Sequence, residues 1–386
     1  MTDPAGRILV LNAGSSTLKA AVLDGRGADP GDARLELAAL ATATLRWTDH
    51  DGVAGTLERA LADAGVADPA GLSGVGHRLV HGGDVFVRPT IVDDGVLAAL
   101  DDLVPLAPLH QPAAVATIRA MRDRAPGLLQ VACFDTAFHA ELPETDRIYP
   151  VPAAWQDELA LRRYGFHGLS VDWSVRRAAA LLGRPVADLR LVVAHLGAGA
   201  SVTAVDGGRS VHTSMGYTPL EGLVMATRAG SIDPGIVTAM ARRGHAPEAL
   251  EADLQQRSGL VALAGTGDMR AILARVAEGD PAASRALDVF VDRAAAAIAA
   301  AGTRLPSIDA VVFTGGIGEA APLVRMRLAA RLGVIGIEPL DEPRQDSRED
   351  GILGGDRRPV VVRVAAREDR VIAAAVLDSL EPSAGG

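Results

Sequence analysis

One strand–turn–strand unit occurs twice in this sequence, once near the start of each half. The first copy, Arg7–Gly25, has an apolar strand, a small-residue turn, a second strand and an Asp-Gly turn. The second copy, Arg190–Gly207, repeats this order and begins 183 residues later, as the starting positions 7 and 190 show. Such turns present backbone N–H groups without side-chain obstruction, which suits phosphate oxygens. The repeat predicts two similar α/β domains whose hairpin turns face a common cleft.

Strand and helix patterns alternate between and after the two units, as an α/β fold requires. Helical periodicity is found at Ala113–Arg124, Val171–Leu182, Ala283–Ala301, Pro322–Leu332 and Val371–Leu380. Apolar runs predict strands at Leu128–Phe134, Ile308–Phe313 and Val360–Val364. The charged stretch Glu342–Arg358 predicts an exposed connection. We expect the last helix to pack back onto the first domain.

The composition is that of a globular protein of two or three domains. Of 386 residues, 48% are hydrophobic and 22% are charged, and the formal charge of −10 argues against a nucleic-acid partner. Cys133 is the only cysteine, which excludes a disulfide framework, and its apolar surroundings predict an inert core residue. The sequence shows neither a signal peptide nor an apolar run long enough to span a bilayer. We therefore expect a soluble, cytoplasmic protein.

The first hairpin holds two residues that occur nowhere else in the chain. Asn12 is the only asparagine, Lys19 is the only lysine among 38 basic residues, and hydroxyl side chains lie between them. An amide oxygen, hydroxyls and an ammonium group fit a magnesium–phosphate site, where oxygens hold the ion and a cation meets the phosphate. The spacing differs from that of a P-loop. The alternative is an ordinary polar hairpin turn.

Two arginines lie in stretches rich in turn residues. Arg78 lies in His77–Gly83, beside two histidines and a glycine pair, and Arg228 lies in Leu223–Gly230. A guanidinium binds a carboxylate or phosphate through two parallel hydrogen bonds, so two arginines that converge on one cleft would suit anions. Because arginine is abundant in this chain, each of them taken alone is more typical of a surface residue.

Six of the nine histidines lie beside turn-forming or aromatic residues: His77, His81, His110, His139, His167 and His195. The HExxH motif of zinc enzymes is absent, and a hydrogen-bonded structural role is the usual one for such residues. Asp135 directly follows an apolar strand, where carboxylates often enter the cleft of an α/β fold. The same position also suits a helix N-cap, so position alone leaves both roles of Asp135 open.

Eight blocks of sequence, in order, resemble those of the acetate kinase family over essentially the whole chain. They are Asn12–Lys19, Gly76–Gly83, Leu106–Pro112, Phe134–His139, Tyr164–Gly168, His195–Ser201, Met215–Gly222 and Phe313–Glu319. The resemblance implies an α/β fold of two duplicated actin-like ATPase (ribonuclease H-like) domains that flank a nucleotide-binding cleft. It implies an N-terminal domain at 1–139 and 368–386 and a C-terminal, nucleotide-binding domain at 140–367.

The resemblance also implies roles for individual residues. Asn12 and Glu368 would hold magnesium, or manganese in its place, while Ser15, Thr17 and Lys19 would line the phosphate end of the site. The catalytic residues would be Arg78, Asp135, His167 and Arg228. The substrate would contact Arg78, Val80, Leu109, Phe166 and Pro219, the last four forming an apolar pocket for the acyl methyl. The nucleotide would contact His195, Leu196, Gly197, Ala198, Gly199, Asp268, Met269, Arg270, Gly316, Ile317, Gly318, Glu319 and Ala320.

The activity implied by the resemblance is reversible transfer of the ATP γ-phosphoryl group to acetate, giving acetyl phosphate and ADP. The family is homodimeric, and its substrates are small molecules, with no nucleic-acid or membrane partner. A carboxylic acid with a pKa of roughly 4–5 is already an anion at neutral pH, so its phosphorylation needs charge compensation but no general base.

The sequence departs from the family pattern at a few positions. The family usually has asparagine at Ala198 and Ala320, serine at Thr17 and an aromatic residue at Met269. In a chain with one asparagine, the first two differences fit compositional drift with ATP use retained. The alternatives are an altered nucleotide affinity, or another phosphoryl donor such as pyrophosphate or another nucleotide.

Three further alternatives stay open at this level. A propionate or butyrate kinase would differ only in the volume of the acyl pocket. A weakened nucleotide-binding sensor of the same fold would fit the alanines at positions 198 and 320, but not the retained charged residues. A structural actin-like or chaperone ATPase would leave the stretch His77–Gly83 unexplained.

Overall fold

The computed structural model describes residues 6–14, 17–25, 37–47, 52–340, 349–355 and 358–381. By its internal contacts the chain falls into two compact units. The first unit comprises Met1–Ala140 and Arg367–Gly386, and the second comprises Glu141–Ala366. The chain thus leaves the first unit once and returns to it at its C-terminal end. The domain boundaries implied by the resemblance stay a prediction.

Within the described residues, the first unit contains a six-stranded mixed sheet. Its strands are β1 (Arg7–Ala13), β2 (Thr17–Asp24), β3 (Ala39–Arg46), β4 (Gly74–Leu79), β5 (Thr90–Ile91) and β6 (Gln130–Phe134). They lie in the order β3-β2-β1-β4-β6-β5. Strand β1 pairs antiparallel with β2 and parallel with β4, and β4 pairs parallel with β6. The parallel pairs bring the carboxyl ends of β1, β4 and β6 to one edge of the sheet.

The second unit repeats this sheet strand for strand. Its strands are β7 (Arg190–Leu196), β8 (Ala200–Asp206), β9 (Arg209–Thr213), β10 (Ala310–Thr314), β11 (Gly351–Gly354) and β12 (Val360–Arg363). They lie in the order β11-β12-β10-β7-β8-β9, and every neighbouring pair has the direction of its counterpart in the first sheet. The duplication predicted from the two hairpins is therefore confirmed, and so is the α/β fold of two related halves.

Helices cover the sheet of the first unit. They are α1 (Gly52–Asp63), α2 (Asp94–Asp102), α3 (Gln111–Arg124) and the C-terminal α14 (Glu368–Leu380). Helix α14 lies directly on β4, because two glycines of that strand leave room for it. A Cβ at Gly76 would lie 2.2 Å from Ile372 Cγ2, and one at Gly74 would lie 2.6 Å from Val376 Cγ1. The prediction that the last helix returns to the first half of the protein is confirmed.

Three helices of the second unit precede β7, and its other helices lie between β9 and β11. They are α4 (Glu144–Arg147), α5 (Ala153–Leu159), α6 (Gly168–Leu182), α7 (Pro234–Arg242), α8 (Pro247–Gln256), α9 (Gly259–Ala264), α10 (Met269–Ala277), α11 (Pro281–Gly302), α12 (Gly315–Ala320) and α13 (Pro322–Arg331). Helix α11 begins with proline after Asp280, whose carboxylate accepts hydrogen bonds from Ala282 N and Ala283 N, a favourable N-terminal cap. Across the described ranges, no helix combines the length and apolar character needed to cross a membrane.

The predicted helices and strands are all present, with ends that differ by at most three residues. The predicted exposed connection Glu342–Arg358 is wrong in part, because it contains strand β11, which pairs antiparallel with β12. Ile352 and Leu353 are the only adjacent apolar residues in this charged stretch, too few for a strand pattern to be recognised. Residues 341–348 and 356–357 lie outside the described residues.

Candidate active site

Three polar side chains of the first unit meet around Arg78, near the carboxyl end of β4. The Arg78 guanidinium donates from Nε to Asp135 Oδ1 at 3.1 Å and from Nη2 to Asp135 Oδ2 at 2.6 Å. Its Nη1 donates to Asn12 Oδ1 at 3.1 Å, and its Nε lies 3.5 Å from Glu368 Oε2. Asp135 directly follows β6, and Glu368 opens α14. The sheet and its returning helix thus assemble residues from four distant parts of the chain.

The ion pair between Arg78 and Asp135 is largely shielded from solvent, since the Asp135 side chain is 1% exposed. Burial raises the pKa of Asp135 to about 6, and the charge of Glu368 acts in the same direction, while Arg78 opposes both. Burial alone would lower the pKa of Arg78, but the carboxylates of Asp135 and Glu368 outweigh burial and raise it. Both groups are therefore charged at neutral pH. Asp135 does not cap the short 3₁₀ helix Ala137–His139, whose N-cap is Thr136.

The sheet register places the chain's unique asparagine and lysine in one row. Asn12 of β1 pairs with Lys19 of β2 on one side and with Arg78 of β4 on the other. Residues paired in this way project from the same face of a sheet. Lys19 is exposed, and Thr17 lies two residues before it on that face. Ser15, predicted for the same phosphate end, lies outside the described residues.

In the second unit, two histidine rings are stacked and held in fixed orientations. The ring centroids of His167 and His195 lie 4.2 Å apart with an interplanar angle of 24°. His167 Nδ1 lies 3.0 Å from Ser201 Oγ, and His195 Nδ1 lies 2.8 Å from Ser170 Oγ. His167 has a φ of +62° at the start of α6, a backbone conformation that residues other than glycine rarely adopt. Strain of this kind is typical of functional positions.

Arg228 is a mostly buried cation that neutral groups hold in place. Its Nη1 donates to Pro219 O at 3.2 Å and lies 3.6 Å from Met225 Sδ. Among the described residues, no acidic side chain pairs with Arg228, and burial lowers its pKa. An arginine pKa starts so high that the group still stays protonated at neutral pH. Within the described part of the second unit, Arg228 is therefore a positive charge without an acidic partner.

Glycines allow the stretch Leu223–Gly230, which carries Arg228, to lie close to the β7–β8 turn. A Cβ at Gly199 would lie 3.2 Å from His167 Nε2 and 3.6 Å from Arg228 Nη1, so both side chains converge on this turn. Ala226 N donates to Ala198 O at 3.0 Å. Gly259 has a φ of +65°, and a Cβ there would lie 2.5 Å from Arg228 O. The loop of Arg228 is thereby fixed from two sides.

A cavity of about 460 Å³ opens beside the same turn in the second unit. It is lined by Gly197, Ala198, Gly267, Asp268, Met269, Arg270, Leu273, Gly316, Ile317, Ala320 and Ala321. Eight of the thirteen predicted nucleotide contacts are among these residues. His195, Leu196, Gly199, Gly318 and Glu319 are not, and the Glu319 carboxylate accepts a hydrogen bond from Ala366 N at 2.8 Å.

The charged groups of this cavity neutralise each other. Asp268 caps helix α10 and pairs with Arg270 through Nη2 and Oδ2 at 2.8 Å. The remaining lining side chains are apolar or absent, and the two alanines that depart from the family pattern are among them. Such a lining suits a flat, weakly charged group such as a nucleobase.

The residues predicted for the acyl pocket are divided between the two units. Val80, just after β4, is half-buried, and Leu109 is 44% exposed; both belong to the first unit. Phe166 is buried and Pro219 is half-buried, and both belong to the second unit. That these four side chains form one pocket stays a prediction.

The donor atoms beside Arg78 fit a magnesium ion. Asn12 contributes an amide oxygen and Glu368 a carboxylate, and both groups lie against the same guanidinium. In the part of the chain that the structure describes, no three His, Cys, Asp or Glu side chains gather into a metal site. An ion held here would therefore depend on two protein oxygens, water and phosphate, which is common for Mg²⁺.

Several residues of the site carried no separate signal in the sequence. Ser170 and Ser201 orient the two stacked histidines. Ser201 lies within a family block, which is the only sequence signal for either serine.

Two other histidines singled out in the sequence have local hydrogen-bonding roles. His77 Nε2 lies 2.6 Å from Gln130 Oε1, and His81 Nδ1 accepts from Gly83 N at 2.9 Å. Cys133 is buried, and burial raises its pKa to about 12, as expected of an inert thiol.

Comparison with known sequences identifies what this arrangement is similar to. The family model described as the acetokinase family matches residues 7–374. An acetate kinase of Streptomyces avermitilis is 42% identical over 97% of this chain and 94% of its own length. An acetate kinase of a Synechococcus strain is 44% identical over 81% of this chain and 78% of its own length.

Two solved structures with a similar fold are those of an acetate kinase and a propionate kinase. The crystal structure of Porphyromonas gingivalis acetate kinase matches with a TM-score of 0.87 and 28% identity, over 97% of this chain and 100% of that one. A propionate kinase from Francisella tularensis matches with a TM-score of 0.86 and 31% identity, over 96% and 98%.

Proposed function

The chain belongs to the acetokinase family, and we propose that it transfers the γ-phosphoryl group of ATP reversibly to acetate, giving acetyl phosphate and ADP. Family membership makes the protein a kinase. The proposal adds the two substrates and the residues that act on them.

The observation that carries the proposal is the isolated charge of Arg228. This reaction must bring two anions, a carboxylate and a triphosphate, into contact. A mostly buried guanidinium with no acidic partner among the described residues supplies the compensation that this requires. An arginine directed at a transferring phosphoryl group accelerates such reactions by about 10³-fold or more.

The proposed step is a direct, in-line displacement. A carboxylate oxygen of acetate forms a bond to the γ-phosphorus while the bond between that phosphorus and the β–γ bridging oxygen breaks. The electron pair of the broken bond leaves with ADP. Because acetate is ionised at neutral pH, no side chain has to accept a proton.

We assign Arg78 and His167 to the reacting groups together with Arg228. Asp135 keeps the Arg78 guanidinium charged and oriented through its two hydrogen bonds. If the Ser201 hydroxyl donates to His167 Nδ1, the ring proton lies on Nε2, the nitrogen that faces Gly199, as Arg228 Nη1 does. His167 would then donate a hydrogen bond to a phosphoryl oxygen in the transition state.

The cavity beside the β7–β8 turn supports a nucleotide as the phosphoryl donor. Pyrophosphate would leave its apolar lining without a function, whereas a nucleobase would cover Met269 and Ile317. Ala198 and Ala320 lack the side-chain amides of the family's usual asparagines but keep the backbone N–H groups at these positions. We therefore assign ATP as the donor and interpret the two alanines as compositional drift.

We assign the metal site to Asn12 and Glu368, with Mg²⁺ as the ion and Mn²⁺ as a substitute. When bound, the ion would neutralise phosphate charge. Removal of divalent ions by EDTA is expected to abolish activity, and added Mg²⁺ should restore it. A Glu368→Gln variant should need more Mg²⁺ for half-maximal activity, and an unchanged requirement would contradict this assignment.

The acyl specificity is proposed from the relatives and the predicted pocket. Acetate is the substrate named for most of the similar proteins, while one similar structure is a propionate kinase. One methylene group changes binding in an apolar pocket by about 1–3 kcal/mol, which is a small discrimination between substrates. Propionate and butyrate are therefore assayed alongside acetate.

We also propose that the protein is a cytoplasmic homodimer. Helix α7 has no buried residue and exposes Ile236, while Ile232 just before it is also exposed, as expected of a surface that a second copy covers. Light scattering should give twice the mass of the 39.8 kDa chain, and Ile236→Asp should lower it.

The experiment that tests the proposed function is a hydroxamate assay for acyl phosphate. Acetate, propionate and butyrate are each combined with ATP, GTP and pyrophosphate, and we expect acetate with ATP to react fastest. Arg331→Ala, on the exposed face of α13, serves as a control that should keep full activity. Inactivity with every pair would overturn the proposal, and preference for another pair would replace the substrate or donor.

A further inference from the structure

The block Met215–Gly222 contributes one predicted site residue, Pro219, yet most of its side chains and glycines have no assigned role. The structure describes residues 214–233 as an irregular segment without helix or strand. Irregular backbone next to a reactive arginine needs other interactions to hold it still. We name residues 215–221 the Pro219 loop.

Arg163 ties the base of the Pro219 loop to the preceding segment of the chain. Its Nη1 donates to Met215 O at 3.1 Å, its Nε donates to Asp146 O at 3.2 Å, and its Nη2 donates to Glu221 Oε1 at 2.7 Å. The Arg163 side chain is 15% exposed, and its guanidinium lies 5.3 Å from the ring centre of Tyr149. One side chain therefore contacts both ends of the loop.

Tyr149 and Glu221 close the loop from the other side. The Tyr149 hydroxyl donates to Glu221 Oε2 and accepts from Tyr217 N at 2.8 Å. Burial raises the pKa of Tyr149, with the carboxylate of Glu221 acting in the same direction and Arg163 against it. The hydroxyl therefore keeps its proton and remains a donor at all pH values at which the protein would be assayed.

The hydrogen bond between Tyr149 and Glu221 occupies the space that a side chain at Gly216 would need. A Cβ at Gly216 would lie 1.8 Å from Glu221 Oε2 and 2.1 Å from the Tyr149 hydroxyl oxygen. Any other residue would force the two groups apart. The glycine of the block and its glutamate thus serve the same local arrangement.

The Pro219 loop contacts Arg228 and the backbone of the segment that leads to His167. Pro219 O accepts the hydrogen bond from Arg228 Nη1 at 3.2 Å. Gly216 O accepts from Tyr164 N at 3.1 Å and Gly165 N at 3.3 Å, directly before the strained His167. A displacement of this loop would move the carbonyl that orients Arg228 and the backbone that leads into His167.

We propose that Arg163, Tyr149 and Glu221 are positioning residues whose network fixes the Pro219 loop, and through it Arg228 and His167. The inference rests on the proposed function, because it assigns a role in the same reaction. None of the three needs to touch the substrate. Their effect on catalysis is transmitted by the backbone carbonyls of residues 215, 216 and 219.

The test compares Tyr149→Phe, Glu221→Gln and the double variant in the hydroxamate assay. We expect each single variant to lower kcat about 10-fold to 100-fold, because misplacing a catalytic group by about 1 Å costs up to 10²-fold. The KM for ATP should stay within about twofold, since the cavity beside the β7–β8 turn does not include the loop. The double variant should be no slower than the slower single variant, because both changes break one network.

A matched control separates positioning from general stability. Asp309 is a buried carboxylate of the same unit that accepts from Arg184 Nη1 at 2.6 Å and from Arg190 N at 2.9 Å, at the amino end of β10. Asp309→Asn should lower the melting temperature while leaving kcat nearly unchanged. Arg163→Lys keeps the charge but not the fork of donors, and should be as slow as Glu221→Gln.

The possible results separate failure of the proposed function from failure of the positioning network. A wild-type protein that forms no acyl phosphate would overturn the proposed function. An active wild type with full kcat in both single variants would overturn the positioning network alone. So would multiplicative losses in the double variant, or an equal loss of kcat in Asp309→Asn at the same loss of stability.

Discussion

Arg78 and Asp135, 57 residues apart in the chain, are joined by two parallel hydrogen bonds of 3.1 and 2.6 Å in the interior of the first unit. The pair leaves Arg78 charged, oriented and in contact with Asn12 and Glu368. Arg228 in the second unit is the opposite case, a cation without an acidic partner among the described residues. One arginine is thus preorganised by a protein carboxylate, and the other is left for an anionic ligand.

The first prediction concerns the pH dependence of activity. Because the pKa of Asp135 is raised to about 6, its protonation below that pH weakens the pair with Arg78, and kcat/KM should fall. The effect of Asp135 on stability has the opposite direction. Because its pKa is higher in the folded state, its protonation at lower pH favours the folded protein. Activity should therefore be lost near pH 6 before the protein unfolds.

Asp135→Asn separates this effect from protonation of acetate at lower pH. The variant should be at least about 100-fold slower at pH 7.5, by the cost of misplacing a catalytic group, and its profile should show no fall near pH 6. Circular dichroism at each pH monitors the fold. An unchanged fall near pH 6 in the variant would assign the titration to another group.

The second prediction concerns stability in acid. Burial lowers the pKa of His77 to about 4, against its hydrogen bond to Gln130, so the folded protein binds this proton less readily than the unfolded chain. The stabilisation is complete above pH 6.5 and is lost progressively as the pH falls from 6.5 to about 4. Between pH 7 and pH 5 the loss is about 2 kcal/mol.

Urea unfolding of the wild type and of His77→Gln at pH 7 and pH 5 measures this loss. From pH 7 to pH 5 the free energy of unfolding should fall by about 2 kcal/mol more in the wild type than in His77→Gln. Contributions from Asp135 and other groups are the same in both proteins and cancel in this comparison. Equal differences in the two proteins would show that His77 does not titrate between these states.

The third prediction concerns the β7–β8 turn. Gly199→Ala puts a methyl group 3.2 Å from His167 Nε2, closer than an ordinary contact, so the His167 ring must shift, while Arg228 Nη1 at 3.6 Å is in normal contact. We expect kcat to fall about 10-fold to 100-fold with little change in stability. Gly333→Ala, where an added Cβ meets no atom within 4 Å, is the matched control and should keep full activity.

The sequence and the structure agree where local patterns determine the fold. The β1–β2 and β7–β8 hairpins were predictable because strand, glycine turn and strand follow each other directly. Strand β11 was not, because its pairing with β12 compensates for a pattern of only two apolar residues. Tertiary pairing of this kind leaves no periodic signal.

The candidate site was predictable to a similar extent. The family resemblance assigned site roles to Arg78, His167 and Arg228, but it did not show how each side chain is held. The positive φ of His167, the serine beside each stacked histidine and the carbonyl of Pro219 on Arg228 arise from contacts between distant segments. Sequence spacing does not encode such contacts.

The most direct test of the account is the rate of Arg228→Ala with acetate and ATP, measured with and without added guanidinium chloride at millimolar concentration. We expect a fall in kcat of about 10³-fold or more in a variant with the wild-type melting temperature, and partial recovery when guanidinium occupies the vacated position. A variant that retains a rate within about threefold of the wild type would contradict the assignment of this charge to the transferring phosphoryl group.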